Sequence, residues 1–380
     1  MIRRPGMASL ILCFLAGCGA DAGPCDSQST HVTLRTLGPL ALLTYRELGA
    51  PATVMTDTRD QTVDLCVSQP YEITVVCVTG PIVRATQYRA TPADDTAVFL
   101  GCDFSAGGTR SDSVHVTGTA IGAGSVYMGG SGMSFNGLAI PFDLPVARGT
   151  HDLVASNDFD RTDGQGRVLV RRSLRVDTDL DVGDVDPEAE GTPLAPVPFT
   201  LSGLLDTEQV STTVTLQTGA EEIAQISRTP AAEAHVLPAA LARSSDHQDV
   251  SIAIRPPADS ASPRVYRYAE IEVPAAGAVL ELVPPLSGLV SFEPTSAGEQ
   301  AGWISLPDYA RLQYDVYGAS GLLTVSATRS WIDTVGATSV VFDATVDGYD
   351  PAWSIGAARS HFLSVTQDRS NGQFTSSLSE

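Results

Sequence analysis

The stretch "VLVRRSLRVDTDLDV", residues 168–182, sets the fold class. Val168, Val170, Leu174, Val176, Leu180 and Val182 fall on even positions, broken only by Arg172 and Thr178. Leu169, Arg171, Ser173, Arg175, Asp177, Asp179 and Asp181 fill the odd ones, and all but the first are polar. Period two is the signature of a strand, because successive side chains leave a pleated chain on opposite faces. The segment therefore predicts one long strand with a buried and a wet face.

The same reading extends outward. "HVTLRTL", "QTVDLCV", "YEITVVCV" and "TAVFLGC" before it alternate or run apolar between turn residues, as do "TTVTLQT", "DVSIAIRP", "RVYRYAEIEV", "AVLELVP", "RLQYDVYG", "LLTVSATRSWI", "SVVFDATV" and "HFLSVTQD" after it. Only "AEEIAQISR" and the proline-interrupted "AAEAHVLPAALARS" have helical spacing. Aromatic content is 6%, with Val, Thr, Ala, Gly and Pro abundant, which suits short strands and frequent turns. The expected class is all-β: tandem antiparallel β-sandwich modules.

With 380 residues the chain exceeds one ordinary core. Composition shifts divide it into residues 1–17, a tether at 18–30, a cysteine-bearing β domain at 31–108, a β-sandwich at 111–190, and β domains at 191–288 and 289–380, the last two readable as one unit. "DVDPEAEGTPLAPVP", rich in acid and proline, is expected to be a solvated linker between the sandwich and the next β domain.

"LILCFLAGC" at 10–18 comes after Arg3 and Arg4. The apolar core of this segment is about nine residues, ~14 Å as a helix, too short for a hydrocarbon layer of ~30 Å. A basic start, a short apolar run and small residues form a signal-peptide layout. Leu15-Ala16-Gly17-Cys18 resembles the lipobox of bacterial lipoproteins, which implies cleavage before Cys18 and lipidation of its thiol. The resemblance implies attachment to a membrane, and Gly19 tilts the expected location to the outer membrane, at either face.

Two further resemblances bear on architecture. "GTHDLVA" at 149–155, with its flanking strands, looks like the prealbumin-like sandwich of carboxypeptidase-regulatory-type domains. The arrangement of a lipobox before several β modules resembles myxobacterial surface lipoproteins. Neither implies a chemistry of its own.

Without residues 1–17 the chain keeps 21 arginines, no lysine, and 44 acidic residues. So acidic a surface repels nucleic acid and anionic lipid, and no nucleic-acid partner is expected. Once Cys13 leaves with the signal and Cys18 is taken by lipid, Cys25, Cys66, Cys77 and Cys102 remain. Four cysteines in an exported chain permit three pairings. Cys77 and Cys102 each close a strand and are the expected pair, which leaves Cys25 for Cys66.

No nucleophile elbow, zinc-protease helix or P-loop is present, and no catalytic residue is assigned. His31, His115, His151, His235, His247 and His361 are scattered singly and read as strand or turn residues. No cofactor is assigned; calcium is the candidate ion. Asp158, Asp160 and Asp163 in "NDFDRTDGQG" offer hard oxygens, though the EF-hand glycine is displaced and Leu169 stands where its final glutamate belongs. Asp177, Asp179 and Asp181 form a second set at ~7 Å steps along one strand face. Trp303, Trp331 and Trp353 are the candidate ligand-binding residues, as a sugar-stacking platform. The expected role is non-catalytic, structural or binding, toward an envelope or extracellular protein or glycan. The alternatives are a secreted hydrolase or a glycan-binding adhesin with its site in 200–380.

Overall fold

The computed structural model describes residues 25, 29–37, 40–55, 62–95, 97–102, 113–159, 166–219, 223–257, 264–286, 289–295 and 298–380. Cys18, Asp160 and Asp163 lie outside them. The fold is almost wholly β, with several sheets and two short helices among the described residues, as the alternation demands.

A thirteen-stranded sheet organises the molecule. Across it run Asp158–Phe159, Ile223–Thr229, Gln209–Gln217, His247–Arg255, Arg264–Glu272, Gly372–Ser379, Ala358–Arg369, Arg311–Gly318, Gly321–Thr328, Ile82–Ala90, Tyr71–Thr79, Leu42–Glu47 and Thr53–Val54. Strands on both sides of residue 288 share this sheet, Arg264–Glu272 pairing with Gly372–Ser379. Strands from 31–108 share it too: Gly321–Thr328 pairs in parallel with Ile82–Ala90.

At one end of the long sheet an N-terminal layer is added. Thr62–Val67, Thr30–Leu37 and Ala97–Gly101 form a three-stranded sheet. It packs on the long sheet through Val32, Leu34, Leu65, Tyr71, Ile73 and Val75, all buried.

At the other end sits the β-sandwich. One sheet orders Ser131–Ser134, Ser125–Met128, Gly149–Ser156, Arg167–Val176 and Thr192–Pro193; the other orders Ala139–Ala147, Ser113–Ile121 and Leu180–Val185. Their core holds Val116, Val126, Met128, Phe142, Leu144 and Leu153.

The 168–182 stretch is thus two strands rather than one. Arg167–Val176 belongs to one sheet of the sandwich, and after a bend Leu180–Val185 crosses to the other and runs parallel to Ser113–Ile121. The alternation also changes parity within the first strand. His151 faces Leu174 but Leu153 faces Arg171, so one extra residue is accommodated on that strand, a β-bulge. Ser173 carries the strain at φ 57°, the positive-φ residue other than glycine among those described. Before the bulge Leu169 enters the sandwich core while Val168 packs into the core of the long sheet; after it Leu174 and Val176 point into the sandwich. The sheet is covered on both faces only at the start of this strand, so Leu169 is buried, whereas Ser173, Arg175, Asp177, Asp179 and Asp181 of the odd row are exposed as the alternation predicts.

Three other expectations are corrected. "AEEIAQISR" and "AAEAHVLPAALARS" contribute the strands Ile223–Thr229 and Glu233–Val236, because pairing with neighbouring strands overrides their helical spacing. The 184–198 segment is not a solvated linker: it buries Val185, Pro187 and Leu194 and contains the helix Pro187–Glu190, capped by Asp186. The second helix, Arg329–Val335, is capped by Thr328, whose hydroxyl accepts from the Trp331 amide, and ends on Gly336 in the left-handed conformation.

Candidate functional site

Two disulfides are present. Cys77–Cys102 joins the long sheet to the residue just past the Ala97–Gly101 strand, so it staples the N-terminal layer to the sheet beneath it. Cys25–Cys66 ties the start of the described chain to the edge strand Thr62–Val67.

The three tryptophans are not brought together. All are half-buried and pack on the core of the long sheet. Trp303 lines a cavity of about 360 Å³ with Leu289, Gln300 and Ile304. Trp331 lines another of about 380 Å³ with Arg46, Glu72 and Pro70, and the Arg89 guanidinium lies 5.3 Å from the centroid of its ring. Trp353 stands edge-on to Tyr349 at 5.5 Å, and Tyr349 lines a third cavity of about 470 Å³ with Phe342 and Ile355. They serve three separate places, so no common stacking platform exists.

The aspartates are likewise dispersed. Asp177 pairs with Arg175 at 2.6 Å, Asp179 accepts from the His115 amide at 3.0 Å, and Asp181 accepts from the Gly183 amide at 2.9 Å. Among the described residues no three acidic, histidine or cysteine side chains converge as a metal site. The bend at 177–179 and the change of sheet break the single row on which that expectation stood.

What the fold does bring together are buried ionic clusters at both ends of the long sheet. Near the N-terminal layer, Glu72 meets Arg89 at 2.7 Å and Arg46 at 2.8 Å; the Glu72 and Arg89 side chains are only 7% and 8% exposed. Arg46 also reaches Asp343 at 2.8 Å, and Gln87 exchanges two hydrogen bonds of 2.8 Å with the Asp343 backbone. Arg89 donates to the Val341 carbonyl at 2.9 Å. This face of the sheet is polar and covered, and side-chain donors clamp the 341–343 segment onto it. Asp94 pins the neighbouring helix by accepting from Thr91, Thr328 and Ser330. Burial pushes the Asp94 carboxyl up, but these donors outweigh it and hold it below the usual range.

Two clusters lie at the sandwich end. The bulge turns Arg172, the exception in the even row, outward from the sandwich. It donates to Asp152 at 3.0 Å and to both oxygens of Asp246, at 2.9 and 2.7 Å. Asp152 also takes the Ser173 amide at 2.7 Å, so the bulge supplies a donor as well as a direction. Burial raises the pKa of both carboxyls, but the backbone amides and Arg172 outweigh it, leaving them below the ordinary carboxylate range.

The second cluster centres on His235, whose Nδ1 lies 2.6 Å from Asp158 and whose Nε2 lies 2.9 Å from Glu233. Asp158 is fully buried and the His235 side chain is 4% exposed. The Asp158 hydrogen bond raises the imidazole pKa most; burial opposes it and Glu233 adds to it, carrying the value up to about 8. Asp158 is therefore engaged by His235, and its two expected companions, Asp160 and Asp163, lie outside the described residues. Alternation from Glu233 to His235 places both on one face and was readable in "EAHV"; the partner 77 residues away was not.

No family model matches the chain, and no curated protein matches it. Among solved structures it is similar to a bacterial chain described as "Ca2+-stabilized adhesin helps an Antarctic bacterium reach out and bind ice", at 13% identity over 89% of this chain and 88% of that one. The TM-score is 0.19, so the likeness carries no argument about architecture or role here.

Proposed function

We propose that this chain is an exported, lipid-anchored component of the bacterial outer membrane with a non-catalytic, structural or binding role. The observation that carries the reading is the pair of disulfides, both within residues 25–102, since such bonds form and persist in oxidising compartments. The lipobox resemblance at Cys18 supplies the mode of attachment. Six residues separate Cys18 from Cys25, a reach of ~25 Å at most, so the Cys25–Cys66 bridge would hold the folded body close to the lipid surface.

The ionic clusters support a load-carrying scaffold rather than a reaction centre. His235 is flanked by a buried aspartate, yet its second nitrogen is committed to Glu233, so no hydroxyl or thiol among the described residues is paired with it as a nucleophile. The later strands then present surfaces to an envelope or extracellular partner.

The test is metabolic labelling with an alkyne analogue of palmitate, followed by fractionation. The wild-type chain is expected in the membrane fraction with label, and Cys18→Ala is expected to be unlabelled and released. An unlabelled wild-type chain would refute the anchor. Trypsin shaving of intact cells then reads the face: release of peptides from 255–380 without lysis places those modules outside, and protection places them in the periplasm.

A further inference from the structure

The sandwich and the long sheet each have their own core, and the seam between them is narrow. Val154 and Val168 bury against the core of the long sheet, the Ser156 hydroxyl donates to the Ile226 carbonyl, and Asp158–Phe159 pairs with Ser227 and Arg228 over two residues only. Tyr127 and Val170 also pack on that core, Asp152 bonds Thr218, and the ionic clusters of Arg172 and His235 cross the seam. Of these contacts only His235 changes charge near neutral pH.

We propose that the Asp158–His235–Glu233 cluster is a pH-gated latch: loss of the imidazolium proton loosens the β-sandwich from the long sheet while both keep their own cores.

The chemistry rests on the donor count. A protonated imidazole has two N–H donors and satisfies Asp158 and Glu233 together. A neutral one has a single N–H, so one carboxylate then faces a lone pair. Glu233 is 38% exposed and can turn to water, so the single N–H stays on Asp158, which is fully buried and then keeps that bond without the positive charge that balanced it. Its second oxygen, Oδ1, already has no hydrogen-bond partner among the described residues. On one side the carboxyl packs directly on the Gly166 backbone, so close that a Cβ there would collide with the Asp158 carboxyl carbon.

Among the described residues the charged groups bearing on the ring are Asp158 and Glu233. Pro196 lies opposite His235 on the neighbouring strand, and Ser227 donates its hydroxyl to the His235 carbonyl. Arg228, next along that strand, projects from the opposite face by alternation.

A histidine whose folded pKa is raised contributes stability that is fully present below its unfolded value and lost as pH climbs through the folded one. From an ordinary 6.5 to about 8, the seam's opening constant should rise about thirty-fold, tenfold per unit of pKa.

Hydrogen exchange on the full chain, corrected for the intrinsic base-catalysed rate, reads this directly. Between about pH 6 and about pH 9, peptides over 153–159 and 223–236 should lose protection roughly thirty-fold relative to Ala358–Arg369, while the sandwich strand Ser113–Ile121 keeps its own. His235→Gln keeps an N–H donor without titrating and should abolish the pH dependence. If that variant fails to fold, Glu233→Gln decides. It removes one charge from the half-exposed side, so the midpoint of the transition should move to lower pH. Equal protection at both pH values in the wild type, or an unmoved midpoint in Glu233→Gln, would overturn the proposal.

Discussion

The two ends of the long sheet carry extra layers by different chemistry. The N-terminal layer is stapled by Cys77–Cys102 over a shared apolar core, and on the opposite face of the same strands Glu72, Arg89 and Arg46 hold the 341–343 segment, with no histidine among them. The sandwich has no covalent link across its seam other than the chain itself among the described residues, and one of its two clusters turns on a histidine. One end is therefore built to stay joined across conditions, and the other is joined conditionally. If the chain is anchored at Cys18, the permanent joint is the one next to the membrane.

The contrast is strained hardest by removing a charge from the clamp on the 341–343 segment, under the N-terminal layer's strands. Glu72→Ala leaves Arg89 buried beside no carboxylate, and loss of one partner of a buried pair costs about 3–5 kcal/mol. Thermal or denaturant unfolding should show that loss first at 71–90.

Next comes the staple. The Cys77→Ser, Cys102→Ser double variant frees a loop of sequence separation 25, worth roughly 3 kcal/mol by chain entropy. A reductant titration of the wild type should reproduce the effect.

Acid probes the sandwich seam from the other side. Asp152 and Asp246 have depressed folded pKa values, so their contribution is present above the ordinary carboxylate range and lost as pH falls through those depressed values. Exchange at the seam should therefore have an acid limb as well as an alkaline one, and Arg172→Met should remove the acid limb alone.

The smallest effect is local. Thr328→Ala strips the cap of the Arg329–Val335 helix and should cost about 1 kcal/mol, more if Asp94 is left short of a donor. Calorimetry of the variant checks it.

Much of the fold was legible because alternation is a local property. The strands of 264–273, 311–318 and 361–368 were visible as period-two runs, and the Cys77–Cys102 pair was readable from two strands ending in cysteine. The bulge at Ser173 was not, since nothing in "RRSLR" announces an extra residue. Without it, Arg172 looked like a flaw in the pattern instead of the residue that crosses the seam. Nor could sequence place Asp158 beside His235, because that contact depends on a two-residue pairing between distant strands. The tryptophans misled for a related reason: closeness along the chain said nothing about the three separate places they occupy.

An exchange experiment that crosses pH with reductant on the intact chain separates the two joints. Raising pH from about 6 to about 9 without reductant should open 223–236 and leave 71–102 protected, and reductant at about pH 6 should do the reverse. If both ends respond alike to either treatment, the difference between a permanent and a conditional joint does not exist.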